Sequence, residues 1–378
     1  MRQGTFKWMK SMNKSIILNK IRKDGPISRA QIARDTNLTP PTVSSNVKEL
    51  LEQQIVEEQD LGESLGGRKP TMLVINNEAF TIIGVDAGPE SIECIVANLA
   101  GKVLKRSKTK LQLPIDNEQF ITALKSCIAN CLDSADQVIG IGVAMHGVVD
   151  VTTGTSLYAP NLGLANIPIK EELEKEFGLE VKVENDARAM ALGEYWFGHH
   201  GELSSMLAVN IGSGVGAGLI IDGKLYHGAT DIAGEIGHMT IDLHGEICEC
   251  GNQGCLQTFV TGPAIARKSI DQTLTAEQVF EQAVAGDESS IANLKTAGKA
   301  LGVGLTNLIH IVNPEKIVLG GGVSKAQQFI LPEVRNIIKA SALTPAASET
   351  TVKISKLGDD ATLIGAVTLL LVDVFELT

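Results

Sequence analysis

Apolar residues in the first fifty positions recur at helical spacing and mark three short helices in turn. Ile17, Leu18 and Ile21 share one face of a segment from about Asn13 to Arg22, which stops at Asp24-Gly25-Pro26. Ser28 opens a second helix as its N-cap, with Gln31 three residues on in capping-box spacing, and that helix ends near Asn37. Thr39 caps a third helix that tolerates Pro40 and Pro41 in its first turn. Its Val43, Val47, Leu50 and Leu51 face inward, and Thr42, Ser44, Ser45, Asn46 and Lys48 face out. Ile55-Val56-Glu57-Glu58 and Met72-Leu73-Val74-Ile75 then read as two strands around the glycine-rich LGESLGGRKP, with Arg68 and Lys69 at the tip. Three helices and a strand pair predict a winged helix-turn-helix over residues 1–76.

From Thr81 the pattern changes to short apolar runs. Ile82 to Asp86, Ile92 to Leu99 and Val103 to Lys105 read as neighbouring strands with Ala100-Gly101 as a tight turn. A helix from Asn117 to Leu132 and a buried strand from Val138 to Val143 follow. Met206 to Asn210, Leu219 to Ile221, Lys224 to Tyr226 and Ile317 to Leu319 repeat the arrangement, so the body is α/β with two lobes and a cleft between them. The clusters VDAGPES, NIGSGVGAG and LGGG punctuate the strands and offer either bare amides for an anion or simple tight turns. Between the lobes, Asn185 and Asp186 stand just before a helix. Asp186 there either accepts a hydrogen bond from a hydroxyl, acts as a general base, or caps the helix.

Charge adds a partner to this picture. The chain of 378 residues carries −11 in total, yet up to Asn46 nine Lys or Arg face only Asp24 and Asp35, about +7 against about −18 for the remainder. A basic head on an acidic body points to double-stranded DNA as that head's partner. Thr42, Ser44, Ser45 and Asn46 would approach base edges, and Arg68 and Lys69 a phosphate backbone or minor groove. The competing reading is a small helical protein-docking module. Neither a long apolar run nor a signal peptide is legible, so a cytoplasmic protein with no membrane partner is expected. Cys94, Cys127 and Cys131 have no pairing pattern and read as small buried hydrophobes.

The stretch GEIGHMTIDLHGEICECGNQGC carries the most chemistry. His238, Cys248, Cys250 and Cys255 lie within one loop-rich segment, and glycines at 245, 251 and 254 allow it to fold tightly. Thiolate and imidazole ligands at this spacing suit a closed tetrahedral zinc site of structural kind; the alternative is three buried thiols and a surface histidine.

Taken together, APNLG at 159–163, ENDA at 184–187, GEIGHM at 234–239, CECGNQGC at 248–255 and LGGG at 319–322 resemble the ROK family of sugar kinases and sugar-responsive repressors. The resemblance implies an actin-like, ribonuclease-H-like double lobe over residues 77–378. Lobe one would be about 77–195 plus a C-terminal helix at about 360–378, and lobe two about 196–359. It implies a zinc ion on His238, Cys248, Cys250 and Cys255, and sugar hydroxyls on Asn185, Asp186, Glu235 and His238. A fifth sugar contact is implied at Gln257, where the family usually has a glutamate, and Asp186 would be the base if the chain were a kinase. The first phosphate loop departs from the kinase pattern Asp-x-Gly-Gly-Thr: here it is Asp86-Ala87-Gly88-Pro89-Glu90, which loses an amide and gains a negative charge. The DNA-binding head followed by GGRKPTML is similar to that of the xylose-responsive repressors of Gram-positive bacteria. The expectation is therefore a non-enzymatic repressor that binds operator DNA as a homodimer and releases it to a monosaccharide, D-xylose. The alternatives are an ATP-dependent hexose or N-acetylhexosamine kinase with a DNA-binding head, and a structural DNA-binding protein with an empty cleft.

Overall fold

A computed structural model describes residues 12–59, 70–133 and 135–375. The head consists of α1 (Met12–Asp24), β1 (Ile27–Ser28), α2 (Arg29–Thr36), α3 (Pro40–Glu52), β2 (Val56–Gln59) and β3 (Met72–Ile75). The inward faces expected from periodicity are those that bury: Ile17, Leu18, Ile21, Ile32, Val43, Val47 and Leu50 form one cluster with Leu73 of β3. Ser28 and Thr39 cap their helices through the amides of Gln31 and Thr42. The expected capping box at Ser28 is only half made, because the Gln31 amide turns to Asp35 at 2.5 Å. The strand pair β2–β3 forms the wing, joined by β1 on its other edge, and the wing tip with Arg68 and Lys69 lies outside the described residues.

The body opens with β4 (Thr81–Ala87), β5 (Ser91–Asn98), β6 (Val103–Lys110), α4 (Asn117–Leu132), β7 (Val138–Met145), β8 (Val148–Asp150), β9 (Thr155–Ala159), β10 (Leu164–Ile167), α5 (Ile169–Phe177), β11 (Glu180–Asn185) and α6 (Asp186–Phe197). It continues with β12 (Ser205–Ile211), β13 (Val215–Ile221), β14 (Lys224–Tyr226), α7 (Gln257–Val260), α8 (Gly262–Arg267), α9 (Ala276–Val284) and α10 (Glu288–Val312). The last elements are β15 (Lys316–Gly320), α11 (Gln327–Ser341), α12 (Pro345–Ser348), β16 (Thr351–Ile354) and α13 (Ala361–Phe375). Two five-stranded sheets result, ordered β11-β7-β4-β5-β6 and β14-β13-β12-β15-β16. Each is an antiparallel three-strand meander extended by two parallel strands, so the same plan occurs twice. A small antiparallel sheet, β8-β9-β10, stands beside the first.

Two strands outrun their expected limits for physical reasons. The β6 edge strand continues to Lys110 because its exposed basic residues are held across the ladder, Arg106 and Lys108 both pairing with Glu93. NIGSGVGAG is mostly strand, since residues 210–211 and 215–218 belong to β12 and β13 and only the turn at 212–214 is loop. Cys94, Cys127 and Cys131 are buried in the first lobe's core, as their apolar reading required.

Two helices bridge the sheets. α13 lies on β4 and β7 of the first sheet, α6 lies on β12 and β13 of the second, and the two pack along each other. They approach so closely that a side-chain carbon on Gly365 would sit 1.9 Å from the Ala189 carbonyl oxygen. The head sits on the far ends of this pair. The Ser15 hydroxyl donates to the Phe375 carbonyl at 2.7 Å, and the Arg22 guanidinium lies 4.0 Å from the centre of the Trp196 ring.

Candidate functional site

Parallel register assembles the cleft floor. Ala87 and Asn185 both pair with Met145, so the ends of β4, β7 and β11 deliver Asp86, His146 and the pair Asn185-Asp186 to one place. The opposite wall comes from the β12–β13 turn with the first residues of β13, 212–216, and from Glu235, His238 and Gln257; together they enclose about 620 Å³. That is within the usual range for a small-molecule pocket. All five residues expected to meet a sugar, Asn185, Asp186, Glu235, His238 and Gln257, line this one cleft.

Their hydrogen bonding differs. Asn185 caps α6, its Oδ1 accepting from the amides of Ala187 and Arg188, while its Nδ2 donates to the Gly147 carbonyl at 2.9 Å and to Asp186 Oδ1 at 3.0 Å. The cap is thus Asn185, not Asp186, and Asp186 sits in the first turn with Oδ2 directed to His146 Nδ1 at 3.7 Å. Burial pushes Asp86 up to about 7, aided by the charges of Asp186 and Glu93. Burial likewise raises Glu235, with the charge of Asp186 adding to it. For His146 burial opposes protonation, but the carboxylate of Asp186, with those of Asp86 and Glu235, outweighs it and raises the ring's pKa.

A buried ion pair ties the cleft's two sides together. Arg188 Nε donates to Glu184 Oε1 at 2.6 Å, and its Nη1 donates to the Asp231 carbonyl at 2.6 Å, on the loop leading to Glu235. His227 from the same loop reaches Glu184 Oε2 at 2.6 Å. Burial alone would raise Glu184, yet the His227 hydrogen bond and the Arg188 charge hold it below its ordinary value. The loop then turns at Gly234, φ +98°, where a side chain would strike the Ala217 carbonyl oxygen at 1.8 Å. His146, Arg188 and His227 escape a reading of the sequence. A lone histidine after a strand carries no local signal, and these roles arise only when distant strand ends meet.

Beside the cleft, one ligand atom from each of His238, Cys248, Cys250 and Cys255 lies within 4.8 Å of the others. The Cys250–Cys255 sulfurs and the Cys248 Sγ–His238 Nδ1 pair are each 3.7 Å apart. Metal–thiolate bonds of about 2.3 Å give tetrahedral edges of about 3.8 Å, so the donor set can hold a metal ion of that geometry. Gln257 Nε2 donates to Cys248 Sγ at 3.2 Å, a contact joining this cluster to the cleft.

In the loop after β4, where the kinases of the resemblance would hold phosphate, the Gly88 amide is already spent on the Ser91 carbonyl at 3.2 Å and Pro89 borders the cleft, while Glu90 is exposed. On the head, Ser44 and Ser45 of α3 are exposed and Thr42 and Asn46 half-buried; Asn46 Nδ2 donates back to the Thr42 carbonyl at 2.8 Å. Part of the head's positive charge is paired: Lys20 with Asp24 and Asp35, Arg29 with Glu58, Lys48 with Glu52. No helix among the described residues is long and apolar enough to cross a membrane.

Comparison with known proteins matches these features. A winged helix-turn-helix DNA-binding pattern covers residues 15–57. A xylose repressor of Caldicellulosiruptor bescii is 31% identical over 394 residues, spanning 99% of this chain and 98% of the relative. The crystal structure of a ROK family transcriptional regulator, a homolog of the Escherichia coli MLC protein, superposes with a TM-score of 0.84 at 28% identity, covering 96% of this chain and 97% of that one. A ROK family glucokinase from Streptomyces griseus, in complex with glucose and AMPPNP, gives a TM-score of 0.69 at 30% identity over 76% of this chain and 98% of its own. The pattern of the ROK family itself runs from residue 82 to residue 372, and this chain belongs to that family.

Proposed function

We propose that the chain is a sugar-responsive transcriptional repressor that holds operator DNA and releases it to a free monosaccharide, D-xylose. The observation that carries this reading is the union, in one chain, of a winged helix with exposed polar α3 and a carboxylate-lined cleft built over the N-terminus of α6. Residues 1–76 form the DNA-binding domain and 77–378 the sugar-binding domain, divided into lobe one (about 77–195 with about 360–378) and lobe two (about 196–359). Thr42, Ser44, Ser45 and Asn46 meet base edges, with Arg68 and Lys69 on the phosphate backbone. Asp186, Glu235 and His238 meet sugar hydroxyls directly. Asn185 and Gln257, whose amides are engaged with Asp186 and Cys248, hold the others in place. A structural zinc ion on His238, Cys248, Cys250 and Cys255 supports this wall, because a ligated imidazole keeps one orientation. The chain acts as a cytoplasmic homodimer, matching the two-fold symmetry usual in operators.

Phosphoryl transfer is not part of this function. It relies on positioning and charge neutralisation of the phosphates. A spent Gly88 amide, Pro89 and the nearby Glu90 leave the first loop without either. A gel shift with a palindromic operator fragment tests the reading: D-xylose releases the fragment, and absence of operator binding under every sugar condition would refute it. ADP release across hexoses and N-acetylhexosamines, lost in Asp186→Asn, would instead make the chain a kinase with Asp186 as its base.

A further inference from the structure

The cleft contains a polar atom that the protein itself does not satisfy. His146 follows β7 directly, and its backbone amide donates to the Ala87 carbonyl at 3.2 Å, which pins the residue to the neighbouring strand end. Its ring borders the cleft with Nδ1 toward Asp186, while Nε2 is buried from solvent and has no hydrogen-bond partner. Buried ring nitrogens are almost always paired, so one left unpaired on a ring that borders a ligand cleft points to a partner that the ligand supplies. The other amides nearby are spent: Asn185 on Gly147 and Asp186, Gln257 on Cys248.

The surroundings define the ligand's chemistry. Asp86, Asp186, Glu235 and Glu249 border the same space, against His146 and His238. Such a lining repels a phosphorylated sugar and favours a neutral molecule whose hydroxyls donate to carboxylates while accepting from a ring N–H. Asp186 on the Nδ1 side favours the doubly protonated ring, which makes Nε2 a donor.

Resting on the sugar-binding reading above, we propose that His146 selects the effector: its Nε2 donates to one hydroxyl of an unphosphorylated monosaccharide seated over Asp186. A site built to hydrogen-bond a hydroxyl discriminates strongly against the analogue that lacks it, because its own polar group is then left unpaired. His146 is therefore a determinant of which hydroxyl the protein requires.

The test uses the full-length chain, with D-xylose and its 2-, 3- and 4-deoxy analogues as probes in calorimetric titration. The wild-type protein disfavours one deoxy analogue by about 10-fold or more relative to D-xylose. His146→Leu loses at least about 10-fold in D-xylose affinity but binds that same analogue about as well as the wild type does, so the two changes are not additive. His146→Gln, which keeps a donor, restores part of the discrimination. Sugar-free operator affinity, measured in parallel, reports that each variant is folded. An equal loss by His146→Leu across all four sugars, or none, overturns the assignment while leaving the repressor reading intact. A wild-type protein that binds none of the sugars removes the reading beneath it and the assignment together.

Discussion

His238 and Gln257 each belong to two sites at once. The His238 ring directs Nδ1 to the cysteines while lining the cleft, and Gln257 gives its amide proton to Cys248 Sγ, which an ionised carboxylate at that position has no proton to do. Loss of one thiolate should therefore be felt by the sugar. Cys250→Ser is expected to lower zinc affinity by at least about 100-fold and to remove the sugar response with it. Elemental analysis, with one metal per wild-type chain and none in the variant, checks the first part, and sugar titration the second; a metal-free protein that still responds would sink the link. The clustering of His238, Cys248, Cys250 and Cys255 was legible in the sequence because they fall within 18 residues, where local spacing constrains geometry. His146 and Arg188 were not. His146 meets Asp186 only through the register of β7 with β11, and Arg188, although four residues from Glu184, is also held by the Asp231 carbonyl on a distant loop, which no local pattern reports.

Helix α6 shows what an element contributes beyond its residues. Its first turn carries Asp186 into the cleft, and eight residues later, about 12 Å along the axis, its last turn is locked by Glu194. Glu194 has a fully buried side chain that meets His200 Nε2 at 2.6 Å and accepts from the Ser355 hydroxyl at 2.5 Å and the Leu357 amide at 3.3 Å. Burial opposes its ionisation, but the His200 and Ser355 hydrogen bonds prevail and depress its pKa. A depressed carboxylate stabilises the fold above its unfolded pKa and stops doing so as pH falls through the folded value. Glu194→Gln should cost about 3 kcal/mol at neutral pH. It should also flatten the decline of the urea midpoint on going below the ordinary carboxylate range; a decline as steep as in the wild type would refute the assignment. Gly365→Ala probes the other side of the same helix. With the Ala189 carbonyl 1.9 Å from the added carbon, α6 and α13 must separate, and a loss of about 2 kcal/mol or more is expected in urea unfolding. Periodicity foresaw α6 and the strands from β4 to β7 but not β8 to β11, and it foresaw neither the partial wetting of β6 nor the strand character of NIGSGVGAG. In both, cross-strand pairing outweighs local propensity.

The arrangement of the whole molecule supplies a route from sugar to DNA. The second sheet rests on α6, which packs along α13 beneath the first sheet, so a change in the angle between the lobes bears directly on this helix pair. The head is seated where both end. Phe375 of α13 accepts from Ser15 and Asn19 of α1, and Arg22 of α1 lies 4.0 Å from the Trp196 ring of α6 and 5.5 Å from Phe375. A sugar that binds the closed lobes better than the open ones thereby moves the platform under α1, and only that difference in affinity can drive release. Replacing Arg22 by Gln removes the cation–π contact, worth about 1–2 kcal/mol when partly desolvated, without touching α3 or the cleft. The expected outcome is specific to coupling. Sugar affinity in the absence of DNA and operator affinity in the absence of sugar each stay within about 3-fold of wild type, while the sugar-induced loss of operator affinity shrinks by about 5- to 30-fold. Fluorescence anisotropy of a labelled operator, with and without saturating D-xylose, measures that ratio. By reciprocity the operator's effect on sugar affinity must shrink by the same factor. A ratio unchanged from wild type would mean that the signal reaches the head by some other contact than the seat formed by Trp196 and Phe375.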